Sequence, residues 1–170
     1  MILGMSVATF TTFHVVLSLV GILAGLVVVY GMLGSKQFDT WTAIFLATTV
    51  LTSVTGFFFP RDKILPSHIV GVISLVVLVI AIFALYARRL DGSWRWIYVV
   101  SAVASLYLNV FVLVVQSFLK LEPLKALAPT QSEPPFVVVQ AIVLLLFIGL
   151  GLWALRSFHP QANALAPRAS

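Results

Sequence analysis

Runs of about twenty predominantly apolar residues recur along the chain, separated by short segments that collect its charge. Five such runs cover residues 8–33, 41–59, 67–87, 96–119 and 136–156. Each is long enough, at about 1.5 Å rise per helical residue, to cross a hydrocarbon layer of about 30 Å. The breaks carry turn and charge chemistry: GSKQFDT at 34–40, PRDKILP at 60–66 and ARRLDGSWR at 87–95. The longest break, KLEPLKALAPTQSEPP at 120–135, contains four prolines. This pattern predicts one all-α domain over 1–170, an integral membrane bundle of five transmembrane helices with antiparallel neighbours.

Composition strengthens the membrane reading. The chain is 61% hydrophobic and 9% charged, against about 45–50% and about 25% in soluble domains. The net charge of +5 is spread over loops without a basic block, so the sequence offers no nucleic-acid surface; the lipid bilayer is the expected partner. The absence of cysteine excludes disulfides, thiolate metal sites and CxxC redox chemistry. The opening stretch MILGMSVATFTTFHVV has no basic residue and no small-x-small site after its apolar run, so the first span is expected to persist as a helix.

Five spans put the termini on opposite sides. One side then holds Lys36, Arg88, Arg89, Arg95, Arg156 and Arg168, and the other holds Arg61, Lys63, Lys120 and Lys125. The excess of basic residues predicts N-terminus out and C-terminus in. Trp41, Trp94, Trp96 and Trp153 all fall at the expected cytoplasmic ends, where indole rings favour the headgroup level.

Every Asp, Glu, Lys and Arg lies outside the spans or at their rims, which argues against a voltage sensor or a carboxylate proton relay. The uncharged polar residues are sorted by depth. His14, His68 and Gln140 come early in the first, third and fifth spans; Thr52, Ser53, Thr55 and Gln116 come late in the second and fourth. All belong to the outer half. Asn109 and Gln116, seven residues apart, share a helix face. On the second span Thr48, Thr52 and Thr55 form one stripe, beside another of Thr49, Ser53 and Gly56. In the first span, GILAG places Gly21 and Gly25 in a small-xxx-small packing pattern, a candidate for self-association or for contact with another membrane subunit.

Two readings attach to these residues. The amides could serve interhelical hydrogen bonding, worth about 0.6–2 kcal/mol each, or they could line a ligand pocket formed with His14, Thr52, Ser53, Thr55, His68 and Gln140. His14 and His68, at matching depth on helices of the same direction, could also ligate haem b; against this, they are a minimal signal without Met or carboxylate support. His68 follows Ser67, a natural N-cap. In the outer loop, Leu121, Leu124 and Leu127 predict a short amphipathic turn, and Ser132 or Glu133 should cap the last helix ahead of its prolines. As a lid this loop would bring Gln131 and Glu133 to the histidines; otherwise it is a connector. TSVTGF at 52–57 is no potassium filter, since it has one glycine and no re-entrant hairpin.

Three stretches, FLATTVLTSVTGFFFP, LPSHIVGVISLVVL and YLNVFVLVVQSFLKLEPLKALAPTQSEPPF, resemble a group of small, functionally uncharacterised multi-pass inner-membrane proteins of proteobacteria. The resemblance implies a bacterial inner membrane and carries over no catalytic residue. The expectation is a non-enzymatic membrane protein with an outer-leaflet polar pocket for a small ligand or a partner subunit. The alternatives are a haem b or quinone-binding electron-transfer protein using His14 and His68, and a channel or transporter for a small neutral solute or a proton.

Overall fold

The structure, a computed structural model, describes residues 1–2, 4–59 and 66–160, the side chains of 66 and 67 excepted. Helix α1 runs Val7–Leu33, α2 Asp39–Gly56, α3 Pro66–Ile82, α4 Trp94–Lys120, α5 Glu122–Leu127 and α6 Pro134–Ser157. A π-helical turn, Phe83–Ala87, extends α3. Among the described residues there is no β-strand, only an isolated bridge between Ile2 and Met5.

The helix limits have local causes. Ser6 caps α1, its Oγ accepting from the Thr9 N–H at 3.1 Å. Pro134 and Pro135 open α6, where a missing N–H costs nothing, after Glu133 at the N-cap. The turn after α3 requires left-handed backbone at Arg89 and Leu90 as well as Gly92. Leu90 is held there by its burial in the core, at 5% exposure. Helix α5 realises the short amphipathic turn, with Leu121 and Leu127 exposed and Leu124 half-buried. The Ser67 cap, and Arg61, Lys63 and Arg168 in the charge count, fall outside the described side chains.

Helices α1 to α4 form a ring in which each packs on the next and α4 closes against α1; α6 lies outside it, against α4 and α1. Contacts at one end show that α3, α4 and α6 alternate in direction, while α6 runs parallel to its other neighbour, α1. Arg95, at the start of α4, donates from Nη1 to the carbonyls of Leu155 and Phe158 at 3.1 and 2.7 Å, closing the C-terminus of α6. The His159 N–H donates to Ser35 Oγ, just past α1, at 2.9 Å. Arg88, after α3, sits over the Trp94 ring at 5.2 Å. All four tryptophans lie near this end, the tryptophan end below.

Four helical stretches, α1, His68–Ala87, α4 and α6, are long and apolar enough to cross a membrane. Helix α2 is the exception. Its 18 residues include Asp39, Ser53 and six threonines, which the other helices surround on one side. The outward faces are strongly apolar: Val76 and Val79 on α3 and Ile142, Leu145 and Leu146 on α6 are each more than half exposed. Such continuous apolar surface suits lipid and not water.

The glycine pair of α1 sets the helix spacing from within. A Cβ at Gly25 would lie 2.6 Å from Leu106 Cδ1 and 2.9 Å from the Phe45 ring. At Gly21 it would lie 3.1 Å from the hydroxyls of Thr48 and Thr49 and 3.3 Å from Asn109 Nδ2. Both glycines are buried against α2 and α4 of the same chain. Within this chain the pattern therefore serves packing inside the bundle.

Candidate functional site

At the other end of the ring, α1, α2, α3 and α4 diverge around a cavity of about 460 Å³. Of the eight residues expected to form a pocket, His14, Thr52, Ser53, His68, Asn109 and Gln116 line it. Thr49, Gly56, Gly71 and Ser74 join them, with apolar walls from Val15, Val70, Leu108, Val112 and Leu113. Phe57, Phe59, Lys120 and Leu121 belong to the helix ends that frame the same space.

Next to the lining residues Thr49 and Asn109 lies Gly21 of α1. Because that residue has no side chain, the Thr48, Thr49 and Asn109 polar atoms converge on one spot beside α1. Ser18 Oγ donates to Asn109 Oδ1 at 2.9 Å and fixes the amide. The amide nitrogen of Asn109 and the hydroxyl oxygens of Thr49 and Thr52 are buried without a hydrogen-bond partner. Helix α2 explains which threonines are left over. Thr48 and Thr55 turn back to donate to their own helix, at 2.7 Å to the carbonyls of Ile44 and Leu51. Thr49 and Thr52 face the cavity, and their hydroxyl oxygens remain unpartnered.

Thr55 does not line the cavity; it orients a residue that does. Its hydroxyl proton is committed to the Leu51 carbonyl, so at the 2.8 Å contact with His14 Nδ1 it must accept. A neutral His14 paired in this way carries its proton on Nδ1 and leaves Nε2 as an acceptor. The imidazole also meets Phe59 edge-on, with ring centroids 5.2 Å apart, while His68 lies against Phe57 at 5.7 Å. Among the described residues, no group of three His, Cys, Asp or Glu side chains comes together to hold a metal ion.

Three expected residues are placed elsewhere. Gln140, on α6, sits across α4 from the cavity and donates from Nε2 to the Phe111 carbonyl at 3.3 Å; its Oε1 is buried without a partner. Gln131 donates to the Val115 carbonyl at 2.9 Å. Glu133 folds back on its own turn, accepting from the Thr130 N–H and hydroxyl and from the Ser132 N–H at 2.9–3.1 Å. Although desolvation raises its pKa, hydrogen bonds from its own N–H, Thr130 and Ser132 hold the carboxyl below its ordinary value. Gln131 is thus engaged on α4 and Glu133 on the loop itself, and neither lines the cavity.

Lys120 was absent from the expected site, yet a signal for it exists. Positions 109, 113, 116, 117 and 120 follow helical spacing, so the Asn109–Gln116 face continues to Lys120 at the rim. Among the described residues lining the cavity it is the one permanent charge, and none is acidic. No family model matches the chain, and neither a curated protein nor a solved structure shows significant similarity to it.

Proposed function

We propose that this chain is a bacterial inner-membrane protein of five spans, N-terminus out and C-terminus in, whose outer-half cavity binds a small molecule without catalysing its conversion. For α2 as the fifth span, the support is its packing between α1 and α3 and the exposure of Leu51 and Val54 on its outward face. Its threonines do not argue against crossing, since Thr42, Thr48, Thr49, Thr52 and Thr55 are buried or half-buried and Thr40 stands in the first turn, at the helix end.

One observation carries the binding reading. Asn109 Nδ2, Thr49 Oγ1 and Thr52 Oγ1 are buried, lack protein partners and belong to residues lining a cavity of about 460 Å³. Buried polar groups are satisfied in more than about 90% of cases, and each exception costs about 1–3 kcal/mol. A ligand bearing hydrogen-bonding groups removes that cost, and this volume lies within the usual range for small-molecule sites. The test is extraction of bound small molecules from purified protein, followed by mass spectrometry. Wild type should yield a stoichiometric compound that Asn109→Leu reduces at least tenfold; equal yields from both proteins would refute the reading.

The same preparation tests the electron-transfer alternative, which the free Nε2 of His14 keeps open. A Soret band lost in both His14→Ala and His68→Ala would establish haem, and a quinone would appear in the extract. The transport alternative has less support, because below Asn109 the ring closes with Phe45, Leu106 and Tyr98, each at 0–1% exposure.

A further inference from the structure

We infer that the ligand of this cavity is an amphiphilic organic anion, a carboxylate or phosphate ester with an apolar body, held by Lys120 at the rim. The inference rests on the binding reading above and adds the ligand's charge and shape. Lys120 continues the polar stripe of Asn109, Gln116 and Ser117 on α4, so Lys120 and the amide-bearing residues border one space. Among the described residues Lys120 makes no ion pair; the neighbouring ion pair joins Lys125 to Glu122 at 4.0 Å. A cation at the mouth of a low-dielectric cavity, with no carboxylate among the described lining residues, favours an anion and repels a cationic ligand.

The walls specify the rest of the molecule. Lys120 stands eleven residues beyond Asn109 on the helix, about 16 Å along the axis. This interval is bordered by Leu113, Val112, Val15, Val70 and the Phe57 ring, which suit an extended apolar body. At its far end Asn109 Nδ2, a donor on a side chain only 7% exposed, calls for an acceptor oxygen. A water held by Asn109 and Thr49, or an oxygen near the ligand's far end, meets that need.

Photocrosslinking tests the inference. The full chain is placed in phosphatidylcholine nanodiscs and labelled with diazirine-bearing dodecanoate, dodecyl phosphate or dodecanol, and crosslinks are mapped by mass spectrometry. The two anions should label Val112, Leu113 or Phe57, with dodecanol at least tenfold weaker. Lys120→Gln should lower anion labelling about tenfold and leave dodecanol unchanged, and Lys120→Arg should restore it. Competition by phosphatidylglycerol added to the disc identifies a membrane lipid as the source; competition by free dodecanoate alone identifies a soluble anion. Cavity labelling equal for dodecanol and dodecanoate, or unaffected by Lys120→Gln, would overturn the anion inference and leave the binding site standing. Absence of cavity labelling by all three probes would remove both.

Discussion

Gly21 and Gly25 are one turn apart on α1, yet they face two different interiors. Gly25 touches Phe45 and Leu106, which are 1% and 0% exposed and begin the dry core of the tryptophan end. Gly21 touches Thr48, Thr49 and Asn109, where the polar cavity end begins. Both glycines allow close helix approach, so packing alone does not explain the change from aliphatic to polar neighbours. At the tryptophan end the space is filled; at the cavity end polar groups are left without partners. A bundle needing only stability would have filled both ends alike. The unfilled end is where a function would reside.

The comparison breaks most visibly if large-to-small changes cost the same at both ends. Phe45→Ala should destabilise by about 2–4 kcal/mol, measured by reversible unfolding in mixed micelles. That is slightly below the range for water-soluble cores. Lipid tails are as apolar as the core, so only lost dispersion and the void contribute. Val112→Ala, in the cavity wall, should cost less than about 1 kcal/mol because its side chain already borders open space.

Next in size is one substitution made at both ends. In Gly25→Ala the new methyl meets two fully buried side chains that have nowhere to move, and about 1–3 kcal/mol should be lost. In Gly56→Ala the nearest atom is His14 Cε1 at 3.8 Å, an ordinary contact. Removing the flexibility of that glycine should give no loss, or a gain of about 0.5 kcal/mol. Equal losses in thermal unfolding would remove the distinction between the two ends.

Why the cavity end was partly legible in the sequence follows from the same residues. Helical spacing alone put Asn109 and Gln116 on one face and sorted the histidines and threonines to one end, because polar side chains in a span are few and conspicuous. Spacing could not say which neighbour each face meets. Gln140 has the right depth and residue type, but α6 packs outside the ring, so it faces α4 instead. Thr52 and Thr55 share a stripe and still divide their roles, because Thr55 bonds back to Leu51 while the Thr52 hydroxyl stays unpartnered. Lys120 reads in the sequence as a loop charge although it extends the stripe by one turn. Gly21 and Gly25 match a dimerisation pattern that cannot by itself tell a partner chain from a neighbouring helix.

That division of roles gives a sharper test within α2. Thr52→Val removes an unpartnered hydroxyl while keeping its shape, so the ligand-free protein should gain up to about 1 kcal/mol. Thr55→Val deletes the acceptor of His14 Nδ1–H and should cost about 1–2 kcal/mol. Opposite signs in a chemical-denaturation series would separate an oriented histidine from a polar surface awaiting a ligand. The same sign for both would merge them into one packing network.

The smallest effect concerns the turn from Thr130 to Glu133, whose polar side chains do not line the cavity. The Glu133 carboxyl is held below its ordinary pKa by hydrogen bonds that need the charged form. The order it gives to the turn is therefore complete above the unfolded value of about 4.3 and is lost as pH falls through the lower folded value. Amide exchange at Thr130 and Ser132, normalised for intrinsic pH effects, should lose protection in that acid window, and Glu133→Gln should lack the transition. Ligand labelling in the cavity at pH 5 and above should be identical in wild type and Glu133→Gln. A fall in labelling by the variant at pH 6 would mean that this turn closes over the cavity after all, and that the two ends differ by a gate as well as by their packing.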